Sequence, residues 1–405
     1  MSRAAWTVII AACATVSLAL GARQTFGLFL LPLATEHGIS ATALGGAVAL
    51  HNLMWGLAQP LTGAMADRHG AGRVAAAGAL FSGALFYCVG LGLPTLAPTG
   101  LVVVIGIGLL CGVGVACAGT GIALAAVGRA VPPAKRAEAI GISSAGGSVG
   151  QAAMVPLAAV AIAAWGSTGA LFLLSAVTLL ALPAAMRMEW RAPAPDGLRT
   201  ASVGMRGLPR LARRALAERD FALLTLGFFA CGFQLAFLTV HLPTHLALCG
   251  LPAGMGATAL MLIGLFNIPG SWFCGRLGGW VRPELALGWI YLIRTAAIAV
   301  FAATEPTSWG ALLFAAVMGT TWLGTVPLTS AAVARRFGVA DLGALYGVCF
   351  FSHQIGGFIG AGAGAILLDT TGSYAAFWPV MVTVGAAAVA LNWATRAPEG
   401  RAIIA

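Results

Sequence analysis

Apolar residues gather along this chain in runs of about twenty or more, separated by short polar turns. A helix needs about 20 apolar residues to cross the hydrocarbon of a bilayer, so runs of this length predict membrane-spanning helices. Twelve spans are expected, at residues 5–34, 41–62, 73–94, 100–128, 138–163, 167–187, 221–246, 253–275, 285–304, 309–334, 341–368 and 373–395. The first follows a short basic start, as a cleavable leader would. It continues past Arg23 to Ala34, too far for a leader's apolar core, and is taken as a helix.

The rhythm fails once. From Arg187 to Asp220 the chain reads RMEWRAPAPDGLRTASVGMRGLPRLARRALAERD, which is basic and contains three prolines. This stretch separates six spans from six and sets the expected division: 1–187, a cytoplasmic basic linker at 188–220, and 221–405. Within it, LPRLARRALAERDF fits either a short amphipathic helix on the membrane surface or a solvated linker held near lipid by charge. The two sets of six also repeat. At an offset of 211 residues, RQTFGLFLLP from Arg23 lies over QLAFLTVHLP from Gln234. At an offset of 206, AAVGR ending at Arg129 lies over AAVAR ending at Arg335, Gly141 over Gly347, and Gly150 over Gly356.

Composition agrees with a polytopic membrane protein. The 405 residues are 60% hydrophobic and 8% charged, against roughly 25% charged in a soluble domain. A net charge of +10 would suit nucleic acid, but its distribution argues against that partner. Apart from Arg23 and Arg294, which lie inside spans, every Lys and Arg falls on one face of the twelve-span topology. The positive-inside rule then places both termini in the cytoplasm, with some attraction to anionic membrane lipid. Every basic residue except Lys135 is arginine, and Ala and Gly are abundant, as in a GC-rich bacterial genome, so a bacterial inner membrane is expected. Eight cysteines without a C-x-x-C pair and six histidines without ligand spacing give no disulfide framework and no metal site. No cofactor is expected. With no acid pair, metal cluster or positioned nucleophile, no enzyme is expected either.

After the second span comes GAMADRHGAGR. It resembles the loop signature of the major facilitator superfamily, G-x-L-a-D-r-x-G-r-r, at Gly63, Asp67, Arg68, Gly70 and Arg73. The resemblance implies an all-α membrane protein with twelve transmembrane helices in two pseudo-symmetric six-helix halves, the substrate site lying between them near the midplane. It also implies a conformational latch at Gly63, Asp67, Arg68 and Arg73, with Gly63 allowing close backbone approach. The corresponding loop of the second half, GRLGGWVRPE, keeps Gly275 and loses the acid. RQTFGLFLLPL in span 1 and FFSHQIGGFIGAGAGA in span 11 resemble the bacterial monocarboxylate-transporter-like branch. That branch implies a basic residue on helix 1 that binds the substrate carboxylate, here Arg23. Its aspartate and arginine of helix 8 are replaced by Asn267 and Ser271.

The polar residues inside the spans can then be weighed. All acids fall in loops or at helix ends, so none stands at mid-membrane to neutralise Arg23. A charge there costs at least ~2.5 kcal/mol. Arg23 lies about 11 residues, or roughly 16 Å, from the outer end of its span, which is deep for snorkelling. It is expected to face an aqueous cavity and recruit a small organic anion, against the competing reading of a structural arginine satisfied by carbonyls. Arg294 is expected to be structural. Gln234, the repeat partner of Arg23, should face the same cavity, with Asn267, Asn52, Gln151, Trp322 and His353 completing the site. Gln59 beyond Trp55, Ser144 and Ser148, and Thr325 and Thr329 continue these stripes. His353 and His241 are candidate proton carriers, because histidine exchanges protons near neutral pH; His51 and His245 are expected only to hydrogen-bond neighbouring helices.

The expected function is a monomeric secondary active transporter of a small monocarboxylate or related anion, working by alternating access and coupled to a proton. Competing expectations are an anion exchanger, a proton-coupled exporter of drugs or other hydrophobic compounds, and a non-transporting membrane sensor.

Overall fold

The computed structural model describes residues 1–95, 99–132, 136–188, 207–338 and 342–396, and every regular element among them is helical. Helix α1 (Arg3–Arg23) starts at Ser2, whose hydroxyl accepts from the Ala5 amide. It does not run unbroken to the end of its span. It unwinds after Arg23, tightens into a 3-10 turn at Phe26–Phe29, and resumes at Leu30–His37. Helix α2 (Ala41–His69) is followed by Gly70 at φ +95°, a conformation a residue with a Cβ resists, and then by α3 (Ala71–Thr95). Helix α4 comprises Thr99–Val103, a π segment at Val104–Leu110, Cys111–Ala118 and, after a break at Gly119, Thr120–Ala130.

The next helical stretch, Arg136–Leu179, folds back on itself at Gly166, where φ is +68°. We divide it into α5 (136–165) and α6 (167–179, with a short tail at Ala181–Ala185). Glu36 secures the fold-back: its carboxylate accepts from the Ser167 amide at 2.8 Å and from the Ser167 hydroxyl at 2.6 Å. Part of the expected linker, 189–206, lies outside the described residues; after it, Leu208–Leu216 forms a helix with Arg210, Arg213 and Arg214 exposed. The second set comprises α7 (Arg219–Leu248), α8 (Met255–Trp280), α9 (Pro283–Ala303), α10 in two rods (Ser308–Thr321 and Thr325–Phe337), α11 (Leu342–Thr371) and α12 (Phe377–Trp393).

Among the described residues, nine segments are long and apolar enough to span a membrane by themselves. Separating α5 from α6 and counting α2 and the shorter α12 brings the crossings to the expected twelve. Helix α2 is less apolar because it carries His51, Asn52 and Trp55, which are buried against protein.

The two sets pack alike. In the first, α1 lies on α5, α2 on α4, and α3 on α6; in the second, α7 lies on α11, α8 on α10, and α9 on α12. Among the described residues two long seams join them, α2 with α11 and α5 with α8, beside a shorter contact of the Phe26–Phe29 turn with α7. The seams are chemical mirror images. Asn52 of α2 fills the space beside Gly357 of α11, and Gln151 of α5 fills the space beside Gly264 of α8. A polar side chain therefore meets a glycine in each seam, with the roles exchanged.

The end opposite the termini is sealed. One apolar cluster there unites Phe26, Leu44 and Val48 with Val240, Ala361 and Ala365 from the second set. Gly27 sits against the Thr239 and Val240 carbonyls, and Gly45 against Ala365. Asp369 of α11 closes the seam by accepting from the first amides of α2, Ala41 at 3.1 Å and Thr42 at 2.7 Å. At the terminal end, the apolar cluster around Ile9, Ala66 and Val127 draws only on the first set. Gly63, Gly275, Gly343 and Gly347 face open space at that end.

Candidate functional site

Arg23 is the last residue of α1, where positive charge is favoured by the helix C-terminus. Its side chain extends to α2. Nη2 donates to Asn52 Oδ1 at 2.6 Å, Nη1 donates to Gln24 Oε1 at 3.3 Å, and the guanidinium carbon lies 5.1 Å from the centre of the Trp55 ring. Asn52 is oriented for this role, because its own Nδ2 donates to Val48 O at 2.9 Å. Arg23 Nε is buried without a partner, yet the residue as a whole is only half-buried. Among the described residues no carboxylate pairs with it.

The helix break beside Arg23 frees Gln24 to reach sideways. Its Nε2 donates to Gln151 Oε1 at 2.8 Å, and Gln151 Nε2 donates to Leu260 O on α8 at 3.0 Å. This relay carries the arginine's surroundings into the second set. A second link across the same seam runs from Asn267 Nδ2 to Ser148 Oγ at 2.7 Å. Asn267 Oδ1 accepts from Ser271 Oγ at 2.7 Å and from the Leu323 amide at 2.9 Å, so one side chain caps the broken α10 and braces α5.

Arg294 on α9 secures the other side of that break. It donates to the carbonyls of Thr321 and Trp322, and to Thr321 Oγ1 and Cys231 Sγ, and it has no exposed surface. The break at Gly119 in α4 and the break in α10 fall at matching points of the 206-residue repeat, but only α10 is fastened by an arginine.

The profile of the Major Facilitator Superfamily matches residues 11–361. The chain belongs to the major facilitator superfamily. It is 27% identical over 382 residues to the uncharacterized MFS-type transporter YcxA of Bacillus subtilis (strain 168), covering 91% of this chain and 89% of that protein. It is 28% identical over 392 residues to monocarboxylate transporter 11 of Mus musculus, with 92% and 83% covered. The human protein of that name is also 28% identical, with 92% and 78% covered. Among solved structures, a bacterial homolog of the human lysosomal transporter Spinster, inward-facing and unoccupied, shares the fold with a TM-score of 0.71 at 14% identity. The match covers 97% of this chain and 95% of that one. As a superfamily member, the chain is a secondary-active transporter of a small molecule and not an enzyme.

Several expected site residues lie elsewhere. Gln234 does not face the space between the two sets. It is fully buried, and its Nε2 donates to Met381 O on α12 at 3.3 Å. A shorter side chain than Arg23, it stops at the wall of α9 and α12. Trp322 is packed into the apolar core of the second set with 1% exposure. His241 is also buried, with both ring nitrogens engaged: Nδ1 faces Tyr374 OH at 2.9 Å, and Nε2 donates to Ala361 O at 2.8 Å. Such a ring has no free position from which to exchange a proton.

His353 differs. It is half-buried, lies between Phe228 and Phe350, and its Nδ1 donates to Gln354 Oε1 at 3.3 Å. In the superfamily loop signature, Gly63 faces open space and shows no close backbone approach in this conformation. Arg68 and Arg73 are exposed at the membrane surface, and the Asp67 side chain lies outside the described residues, as does that of Ser144.

The sequence reading passed over two glutamines. Gln24 stands beside Arg23 and was masked by it. Gln354 is fully buried on α11 at the turn of α2 that holds Gly56, and its Nε2 has no partner. The signal was available, since the 206-residue repeat lays Gln354 over Ser148, already part of a polar stripe.

Proposed function

We propose that this transporter carries small monocarboxylates, or closely related small organic anions, together with a proton, across a bacterial inner membrane. One observation supports the substrate class above all. Arg23 is a permanent cation at membrane depth, half-open, with an unpartnered Nε, neutral amides as its acceptors and the Trp55 ring beside it. A guanidinium presents a planar fork that a carboxylate fills on two sides, and an arriving anion supplies the missing counter-charge. The likeness to monocarboxylate transporter 11 over nine-tenths of the chain supports the same class. Asn52 holds the guanidinium in place, while Gln151 and Asn267 join its surroundings to the second set.

Residues 1–187 and 221–405 rock about this site as alternating access requires. By the distribution of arginines, the terminal end faces the cytoplasm, so the arrangement described is closed outside and open inside. Gly63, Asp67, Arg68 and Arg73 form a latch that engages when the terminal end closes. The protein works as a monomer. His353 is the proton carrier, since His241 is tied up by two hydrogen bonds. One-to-one anion exchange is the second reading, favoured by the lack of any carboxylate beside Arg23 among the described residues.

Counterflow in proteoliposomes with labelled pyruvate, lactate, acetate and benzoate tests the proposal. At least one acid should exchange. Arg23→Gln should abolish that exchange, and Arg23→Lys should keep part of it. Undiminished counterflow in Arg23→Gln would remove the basis for an anion carrier.

A further inference from the structure

Arg23 Nε is one of the buried donors left without an acceptor; another belongs to α11. Gln354 has no exposed surface, and its Nε2 makes no hydrogen bond. A buried amide donor without an acceptor has given up its bond to water for nothing in return. The amide turns its oxygen toward His353 Nδ1 at 3.3 Å, which leaves the NH2 end as the group without a partner.

Helix α2 brings this donor to the arginine. A side chain at Gly56 would begin 2.9 Å from Gln354 Cβ, and one at Gly357 would begin 3.2 Å from Asn52 Cγ. Asn52 is the residue that Arg23 Nη2 holds at 2.6 Å. Trp55, beneath the guanidinium, meets Phe350 of α11 edge-on with ring centres 5.3 Å apart. One face of α2, formed by Asn52, Trp55 and Gly56, thus meets Arg23 through Asn52 and Trp55, and meets Gln354 and Phe350 of α11 through Gly56 and Trp55. The two unpartnered donors come from opposite sets of six helices.

We propose that Gln354 is the second anion-binding donor of the transporter, so that one carboxylate is held by Arg23 from α1 and by the Gln354 amide from α11. The assignment rests on the carboxylate-carrier reading above and adds to it. The anion bridges the two sets across the α2–α11 seam. Binding therefore favours the conformation in which both donors reach it, and this couples the cargo to the rocking motion. The site suits a monoanion with a neutral body. Among the described residues the other membrane-depth arginine, Arg294, is already saturated and offers nothing to a second carboxylate.

Titration of the purified full-length protein with acetate, lactate, pyruvate and benzoate tests the assignment, with the thermal unfolding midpoint followed in parallel. At least one acid should raise the midpoint of the unmodified protein. Gln354→Leu should weaken that acid about tenfold or more, as loss of a hydrogen bond to a charged group does. Gln354→Glu should abolish binding without lowering the midpoint of the ligand-free protein, because the new carboxylate pairs with Arg23. Unchanged affinity in either Gln354 variant, with binding lost in Arg23→Gln, overturns the role of Gln354 and leaves the carrier reading standing. Unchanged affinity in Arg23→Gln, or no binding of any of the four acids, overturns both. If Gln354→Leu does not fold, Gln354→Glu decides alone.

Discussion

Arg294 donates to two backbone carbonyls, a hydroxyl and a thiol and has no exposed surface. Arg23 donates to two side-chain amides, keeps part of its surface open, and leaves Nε unpartnered. Both guanidinium groups stand at membrane depth, and the difference lies in what surrounds them. The carbonyls at Arg294 exist because α10 is broken, and they sit at the C-terminal end of the Ser308–Thr321 rod, where negative partial charge gathers. Those acceptors are built into the backbone. The acceptors at Arg23 are neutral side-chain amides, which supply no counter-charge. An intramembrane arginine is thus structural or functional according to whether its acceptors are fixed, and its identity alone does not decide.

The contrast can be broken most forcefully at Arg294. Arg294→Met should strand the Thr321 and Trp322 carbonyls and lower stability by about 3 kcal/mol or more, read as a fall in the thermal unfolding midpoint. Arg294→Lys should recover only part, because a single ammonium cannot replace the fork. Arg23→Gln should do the opposite, with uptake reduced about a hundredfold or more and the midpoint little moved. A folded, active Arg294→Met beside an unfolded Arg23→Gln would invert the comparison.

The two histidines sharpen it. His241→Gln should cost about 1–2 kcal/mol through its bonds to Tyr374 and Ala361 while leaving pH-driven uptake intact. His353→Gln should stop pH-driven uptake with little change in stability. The smallest effect belongs to Asp369→Asn, which should weaken the seal at Ala41 and Thr42 by about 0.5–1 kcal/mol. Faster thiol labelling, from the non-terminal side, of a cysteine placed at Gly46, where a side chain has room, would reveal it.

The spans were readable because hydrocarbon demands long apolar runs, and among the described residues each of the twelve overlaps a helical region. The basic character of 188–220 follows from its composition, and the repeat offsets from the order of residues along the chain. The site was only partly readable. Arg23 stood out by its cost, and Asn52 and Gln151 by spacing, but hydropathy does not record where a helix unwinds. The turn at Phe26–Phe29 depends on Gly27 meeting the α7 backbone, a contact between residues more than two hundred positions apart. The repeat misdirected the reading of Gln234, since equal register does not give equal reach. Trp322 and His241 carry polar atoms and were read as available. Only three-dimensional packing reveals that Tyr374 and Ala361 engage His241 and that the core of the second set encloses Trp322.

Gly27 has one more implication. Because it rests directly on the Thr239 and Val240 carbonyls, there is no room for even a single methyl group between α1 and α7 in this arrangement. A side chain introduced there would act as a wedge, prying the sealed end apart and stalling the cycle in the opposite state. One substitution, a single turn beyond Arg23, would thus offer a means of trapping the alternate conformer for direct visualisation.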